Sequence, residues 1–302
     1  MRHIYPIAML LGAGVVAACN PDKVVKTEDI PTAGIRFINA VPDTGAVDFR
    51  PVDIVENSQF YNVTFKSTTL LYYKNARAGT RHFKVFKTPN STDPGATQLA
   101  TAQTVMFDLD NEVIEAGKLY TYILWGYART GSSPAMRITR ITDDPADPGA
   151  QVALRVINTC LPGTCGASAD GVLDVRAFKV SAGIGAAAAT WLAVAPLTTS
   201  AYQNIPAGGF VATDTIRFDF RPAGGVTTGA ALATGPAPLG QAETIDIQAL
   251  PGTSVAGSAI SAVIFPRAVA SSQGGSATTP AVIFVWDRRP PRTCTLCSAP
   301  AQ

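Results

Sequence analysis

Histidine is almost missing from this sequence: only His3 and His82 occur in 302 residues. That scarcity excludes the two- and three-histidine metal sites of hydrolytic zinc enzymes. It leaves His82 as the sole imidazole for a Ser-His-Asp arrangement if the N-terminal segment is removed. His82 stands in the alternating run Thr80-Arg81-His82-Phe83-Lys84-Val85-Phe86. There it is predicted to point to solvent from a strand, with Phe83 and Val85 turned inward. Charge is scarce too. Only 15% of residues are charged and the formal net charge is +2, so the clustered basic surface that a nucleic-acid partner demands is lacking. The sequence also has no Gly-x-Ser-x-Gly elbow, no phosphate loop and no dinucleotide fingerprint. Gly183-Ile184-Gly185 comes nearest, without the third glycine or the alternating strand-helix pattern. No cofactor and no catalytic residue is expected.

What is present is turn chemistry and short apolar runs. Twenty-six glycines and 22 prolines separate many Val/Ile/Phe/Tyr segments of strand length, and 47% of the chain is hydrophobic. This pattern predicts an all-β protein with frequent turns.

The N-terminus reads as an address. Arg2 and His3 begin it, Ile4 to Val16 is mostly apolar, and Ala17 and Ala18 precede Cys19. The apolar stretch is too short to span a bilayer, which fits a secretory signal over residues 1–18. Val16-Ala17-Ala18-Cys19 resembles the lipobox of bacterial lipoproteins, and that likeness implies lipidation of Cys19 and attachment to a membrane through the lipid. Asn20 follows instead of the Asp associated with inner-membrane retention in Gram-negative lipoproteins, which favours the outer membrane. Residues 19–33 are polar and charged, a lipidated start and flexible tether. The fourteen residues Asn20 to Ala33, fully extended, reach roughly 45–50 Å. No apolar stretch after Cys19 is long enough to cross a membrane.

The remainder is written twice. Ile35-Arg36-Phe37-Ile38-Asn39-Ala40-Val41-Pro42-Asp43, followed by Ala46-Val47-Asp48-Phe49-Arg50, corresponds to Leu154-Arg155-Val156-Ile157-Asn158-Thr159 and Val172-Leu173-Asp174-Val175-Arg176. Tyr73 to Gly79 corresponds to Tyr202 to Gly208. Leu119 to Tyr127 corresponds to Ala259 to Arg267, and Ala135 to Ile141 to Ala281 to Trp286. A period of roughly 120 residues suits tandem domains, not a solenoid. Half-apolar strands need a second sheet to cover them, so each copy is expected to be a β-sandwich folding as its own domain. The expected boundaries are 34–143 and 151–290, with a linker at 144–150 and a cysteine-containing tail at 291–302.

This order resembles the bacterial family called domain of unknown function 4397. Arg36, Asn39, Ala40, Pro42, Asp43, Val47, Asp48, Tyr73, Ala78 and Gly79 stand at the places of the family's motifs. The second copy keeps Arg155, Asn158, Asp174, Tyr202, Ala207 and Gly208, but Thr159 to Asp170 replaces the turn at Pro42-Asp43. The resemblance implies two tandem immunoglobulin-like β-sandwich domains and no established activity; members are mostly secreted or surface-attached.

Several remaining features have more than one reading. In Ile35 to Val41, residues 35, 37, 39 and 41 share one face and Arg36, Ile38 and Ala40 the other. This imperfect alternation is expected near a sheet edge or where a strand crosses between sheets. Asn39 and Asn158 are expected to bond backbone. Asp143 to Gly149 carries three carboxylates that would suit calcium; a solvated linker is the simpler expectation. Asp108-Leu109-Asp110-Asn111-Glu112 divides in the same way. Tyr61, Tyr72, Tyr73, Tyr120, Tyr122, Trp125 and Tyr127 would form either a binding strip or core. For Cys160, Cys165, Cys294 and Cys297, local disulfides (160–165 and 294–297), crossed disulfides and a four-thiolate zinc site all stay open, export favouring disulfides. The functional expectation is a non-catalytic envelope module that binds an envelope protein or polysaccharide, or serves structurally. Its rival is an enzyme working on polysaccharide through paired carboxylates such as Asp43 and Asp48.

Overall fold

The computed structural model describes residues 30–292 apart from 57, 68–71, 89–103, 167, 226–229 and 276–277. Cys19, Cys294 and Cys297, and with them the signal segment, most of the tether and the end of the tail, lie outside the described residues. From Thr32 onward the chain forms one compact unit.

The first copy supplies β1 (Thr32–Asn39), β2 (Val47–Pro51), β3 (Phe60–Val63), β4 (Lys74–Arg77), β5 (Gly79–Lys87), β6 (Val105–Ile114), β7 (Leu119–Trp125) and β8 (Arg137–Thr142). They pair as two four-stranded sheets, β4-β1-β7-β8 and β3-β2-β5-β6. The second copy supplies β9 (Gln151–Asn158), β10 (Leu173–Lys179), β11 (Ala187–Val194), β12 (Gln203–Pro206), β13 (Ile216–Pro222), β14 (Ala233–Pro236), β15 (Ala259–Phe265) and β16 (Ala281–Arg288). Their order, β12-β9-β15-β16 and β11-β10-β13-β14, repeats the first strand for strand. The chain is thus all-β and built of sandwiches, as expected. In the immunoglobulin order the first two strands share a sheet. Here β1 and β2 lie in different sheets, so the likeness is one of architecture.

Each copy closes on a parallel pair. β1 runs alongside β7 with Ile35 opposite Tyr120 and Phe37 opposite Tyr122; β9 runs alongside β15 with Leu154 opposite Ile260. Register follows from the apolar alternation, since a slip of one residue would turn the core set outward. In the first sandwich, Ile35, Phe37, Val47, Phe49, Phe60, Phe83, Tyr120 and Tyr122 fill the space between the sheets. Phe49 stacks on Phe37 at 4.7 Å and on Phe83 at 4.9 Å. In the second, Leu154, Val175, Trp191, Phe218 and Ile260 do the same. Tyr120 and Tyr122 are therefore core residues; Tyr61 and Tyr72 remain exposed.

A third apolar cluster lies between the sandwiches. Ile38, Ala40, Ile123 and Trp125 from the first copy meet Ile157, Leu161, Val263, Phe265 and Val285 from the second. This corrects the expectation for β1. It is a central strand, and the second face of Ile35 to Val41 is buried because another sheet covers it. The two copies also meet through backbone. Val269 N–H donates to the Pro42 carbonyl at 2.9 Å, and a Cβ placed on Gly274 would stand 2.1 Å from that same oxygen. Only glycine fits there, since real Cβ atoms do not approach a carbonyl oxygen so closely.

Candidate functional site

The interface between the sandwiches holds a buried charge network built from corresponding positions of the two copies. In the first copy Arg36 projects from β1 onto β7, where its Nε donates to Thr121 Oγ1 at 3.0 Å. Thr121 in turn donates to Asp143 Oδ2 at 2.5 Å, and the Tyr73 hydroxyl donates to the same oxygen at 2.8 Å. In the second copy Arg155 Nε donates to Ser261 Oγ at 2.6 Å. Ser261 and Tyr202 donate to Asp287 Oδ2 at 2.5 and 3.0 Å. Each guanidinium lies over its own tyrosine, Arg36 at 4.5 Å from the Tyr73 ring centre and Arg155 at 4.8 Å from that of Tyr202.

Each guanidinium also bonds the carboxylate of the other copy. Arg36 Nη2 donates to Asp287 Oδ1 at 2.8 Å, and Arg155 Nη2 donates to Asp143 Oδ1. Arg36 Nη1 also reaches the Trp286 carbonyl at 2.9 Å. The arrangement is a pseudo-twofold exchange, the intramolecular counterpart of a self-complementary dimer contact. Two cations and two anions cancel, which is how four buried charges are tolerated. Burial alone would lower the Arg36 and Arg155 pKa values. The facing carboxylates and tyrosines outweigh it, and both are raised. Burial first, and the neighbouring carboxylates second, raise Tyr73 and Tyr202 above the ordinary phenol value in spite of the opposing guanidiniums.

Asp143 is thus the residue for which the linker expectation fails. Its side chain is fully buried, and both its oxygens serve the network. Asp144 pairs with Lys118 at 3.3 Å and Asp147 with Arg288 at 2.8 Å. Among the described residues no group of three His, Cys, Asp or Glu side chains is placed to hold a metal ion. The second acidic run lies on β6, where Asp108 meets His82 and Lys84, and Glu112 meets Arg140.

A cleft of about 490 Å³ opens beside the network. Tyr73, Asp143 and Asp287 belong to both network and cleft; Tyr72, Lys118, Asp144, Arg288 and Arg289 also line it. This lies within the size range of small-ligand sites.

The other residues singled out in sequence have structural tasks. Asp43 accepts the backbone N–H groups of Ala128 and Arg129 at 2.8 and 3.1 Å. Asp48 accepts Asn62 N–H at 2.8 Å and the Thr88 hydroxyl at 2.6 Å. Its counterpart Asp174 accepts Ala193 N–H at 2.8 Å and Gly224 N–H at 2.7 Å. Asn62 and Ala193 both have left-handed backbone, with φ of 53° and 51°. The same carboxylate therefore clamps the same irregular strand residue in each copy. Asn39 and Asn158 bond backbone, as expected, reaching the Val63 and Val194 carbonyls at 3.0 and 2.9 Å. Cys160 and Cys165 form a disulfide with Cα atoms 5.7 Å apart, buried in the second copy.

Thr121, Ser261 and Asp287 were not legible as site residues. The available signal was the recurrence of Arg36 with Arg155 and Tyr73 with Tyr202: a charged residue repeated on a core strand needs a partner repeated with it.

That recurrence is also where relatives enter. Residues 33–162 match the family model of a domain of unknown function, DUF4397. The matched stretch runs from β1 through β9, so the first sandwich is DUF4397-like, and it carries Arg36, Tyr73, Thr121, Asp143 and Arg155. Tyr202, Ser261 and Asp287 lie beyond the DUF4397 match. No curated protein matches the chain.

Proposed function

We propose that this protein is a cell-envelope lipoprotein, anchored through lipid on Cys19 and facing the periplasm or surface from the outer membrane, that acts as a non-catalytic binding module. Its partner is an envelope polysaccharide or protein. The observation that carries the reading is the way the carboxylates are used. Asp43, Asp48 and Asp174 are occupied with backbone N–H groups, and Asp143 and Asp287 with guanidiniums. Acid-base hydrolysis of a glycoside needs two carboxyl groups converging on one bond with separated pKa values. Here the pair proposed from sequence, Asp43 and Asp48, holds different segments, Ala128-Arg129 and Asn62 of β3.

Two features support the address. The Cys160–Cys165 disulfide suits an oxidising compartment outside the cytoplasm. The lipobox-like Val16-Ala17-Ala18-Cys19 supports the anchor.

The test has two parts. Cys19→Ser is expected to move the protein from the detergent phase to the aqueous phase on phase partitioning; a variant still held by membranes overturns the anchor. The purified full chain, incubated with cell-wall and capsular polysaccharide, is expected to release no new reducing ends; turnover that survives repurification overturns the non-catalytic reading.

A further inference from the structure

The pseudo-twofold relation makes the second copy an internal control for the first. Strand pairing sets the correspondence. Gly34 opposite Leu119 and Ala153 opposite Ala259 align residue 118 with 258, and Ile35 opposite Lys74 and Leu154 opposite Gln203 align 72 with 201. The residues of the buried network are retained under this alignment: Arg36 with Arg155, Tyr73 with Tyr202, Asp143 with Asp287, and a hydroxyl at both 121 and 261. The glycine before each strand is retained as well, Gly117 and Gly257 having φ of 75° and 80°. Two cleft residues are not. Tyr72 corresponds to Ala201, and Lys118 to Ser258, which is buried and bonds the Val255 carbonyl.

Since the second copy builds the same strands and network without an aromatic or a cation at these positions, the fold demands neither. Tyr72 is 54% exposed and lines the cleft, as does Lys118. Arg288 and Arg289 line it from the end of β16. With the network neutral, the cleft carries Lys118, paired with Asp144 at 3.3 Å, Arg288, paired with Asp147 at 2.8 Å, and Arg289, so its net charge is the single positive charge of Arg289. Among the described residues Arg289 has no carboxylate partner.

We propose that this cleft binds a short acidic saccharide, a chain of one to three sugar rings bearing a carboxylate. The proposal rests on the binding-module reading and names the ligand class of that module. The chemistry is matched part by part. Arg289 and Lys118 take the sugar carboxylate, Arg being suited to a two-pronged bond with it. Asp144, paired with Lys118 through Oδ2, keeps acceptor capacity for a ring hydroxyl, which a saccharide supplies and inorganic phosphate lacks. Tyr72 offers a flat apolar ring with a polar tip to the C–H face of a pyranose. The volume accommodates a few rings.

The test titrates the full chain, purified in detergent, with tri-galacturonic acid and with neutral maltotriose by isothermal calorimetry. The acidic trisaccharide is expected to bind, and to weaken as NaCl rises from low to high concentration, because the cations are solvent-exposed and screened. Maltotriose is expected not to bind. Tyr72→Ala, Lys118→Ala and Arg289→Ala are each expected to weaken binding about tenfold, and Arg289→Glu to abolish it. Arg217→Ala, an exposed arginine on β13 away from the cleft, is the unaffected control. Failure of the acidic trisaccharide to bind, equal binding of maltotriose, or binding indifferent to all cleft substitutions overturns the proposal. None of these outcomes bears on anchoring or turnover, which the preceding tests read separately.

Discussion

Arg36 and Asp287 are 251 positions apart and meet at 2.8 Å, both fully buried. Arg155 and Asp143 make the reciprocal bond. The first β-strand of each copy thus contributes its charge to the carboxylate that follows or ends the last strand of the other copy. Such a contact contributes less to net stability than to choice of partner, since desolvating four ions offsets most of their attraction. It specifies which two sheets face each other, and in which register.

Removing one member should therefore cost far more than removing a pair. Arg36→Met leaves Asp287 short of a cation in an apolar interface and is expected to cost about 3–5 kcal/mol. Arg36→Met combined with Asp287→Leu keeps the remaining pair, Arg155 with Asp143, balanced. It should cost less than the sum of the single changes, and a double-mutant cycle by urea denaturation reads the coupling. Additive losses would mean that the pair is not coupled.

The third apolar cluster joins Ile38, Ile123 and Trp125 to Ile157, Val263 and Phe265. Neither sandwich can unfold without exposing that face of its neighbour. The full chain is expected to melt in a single calorimetric transition in spite of its two separate cores. Phe265→Ala should lower the whole transition without splitting it. Two resolved transitions, one of them unmoved by this change, would show that the sandwiches are thermodynamically separate.

The Cys160–Cys165 disulfide closes a loop with a sequence separation of only 5. Chain-entropy arguments assign so short a loop roughly 2 kcal/mol at most. Cys160→Ala with Cys165→Ala is expected to lower stability by no more than that and to leave circular dichroism unchanged. Non-reducing peptide mapping should recover the 160–165 linkage; a peptide joining either residue to 294 or 297 would contradict it.

Alkaline pH should loosen the interface. Tyr73 and Tyr202 hold their protons in the folded chain well above the ordinary value of 10.0, through burial and then through Asp143 and Asp287. The unfolded chain releases those protons near pH 10. Stability from this source is therefore complete below pH 10 and falls as pH rises beyond it. The double change Tyr73→Phe and Tyr202→Phe removes the titrating protons. It is expected to flatten the fall of urea midpoint with pH above 10, whatever it does to the midpoint at neutral pH. A slope unchanged by the double variant would assign the alkaline transition to other groups.

Residue pattern alone determined the strand content, the duplication and the inner faces of the strands. Ile35, Phe37 and Val41 alternate as a core face must, and the repetition of Arg36 by Arg155 and of Asp48 by Asp174 marks equivalent positions in two copies of one sandwich. Local rules also reached Asn39 and Asn158, because a side-chain amide at a strand end satisfies backbone groups close by. Only the tertiary structure decided what covers the other face of β1 and what becomes of Asp143. Alternation with a period of two states that a face is apolar or polar; it does not state whether solvent or a second sheet lies against it. A buried charge is intelligible only with its partner, and the partner of Arg36 comes from a strand at the far end of the chain. The distinction between retained network residues and unretained Tyr72 and Lys118 arose in the same way: strand register, a property of the folded sheets, is what aligns them with Ala201 and Ser258.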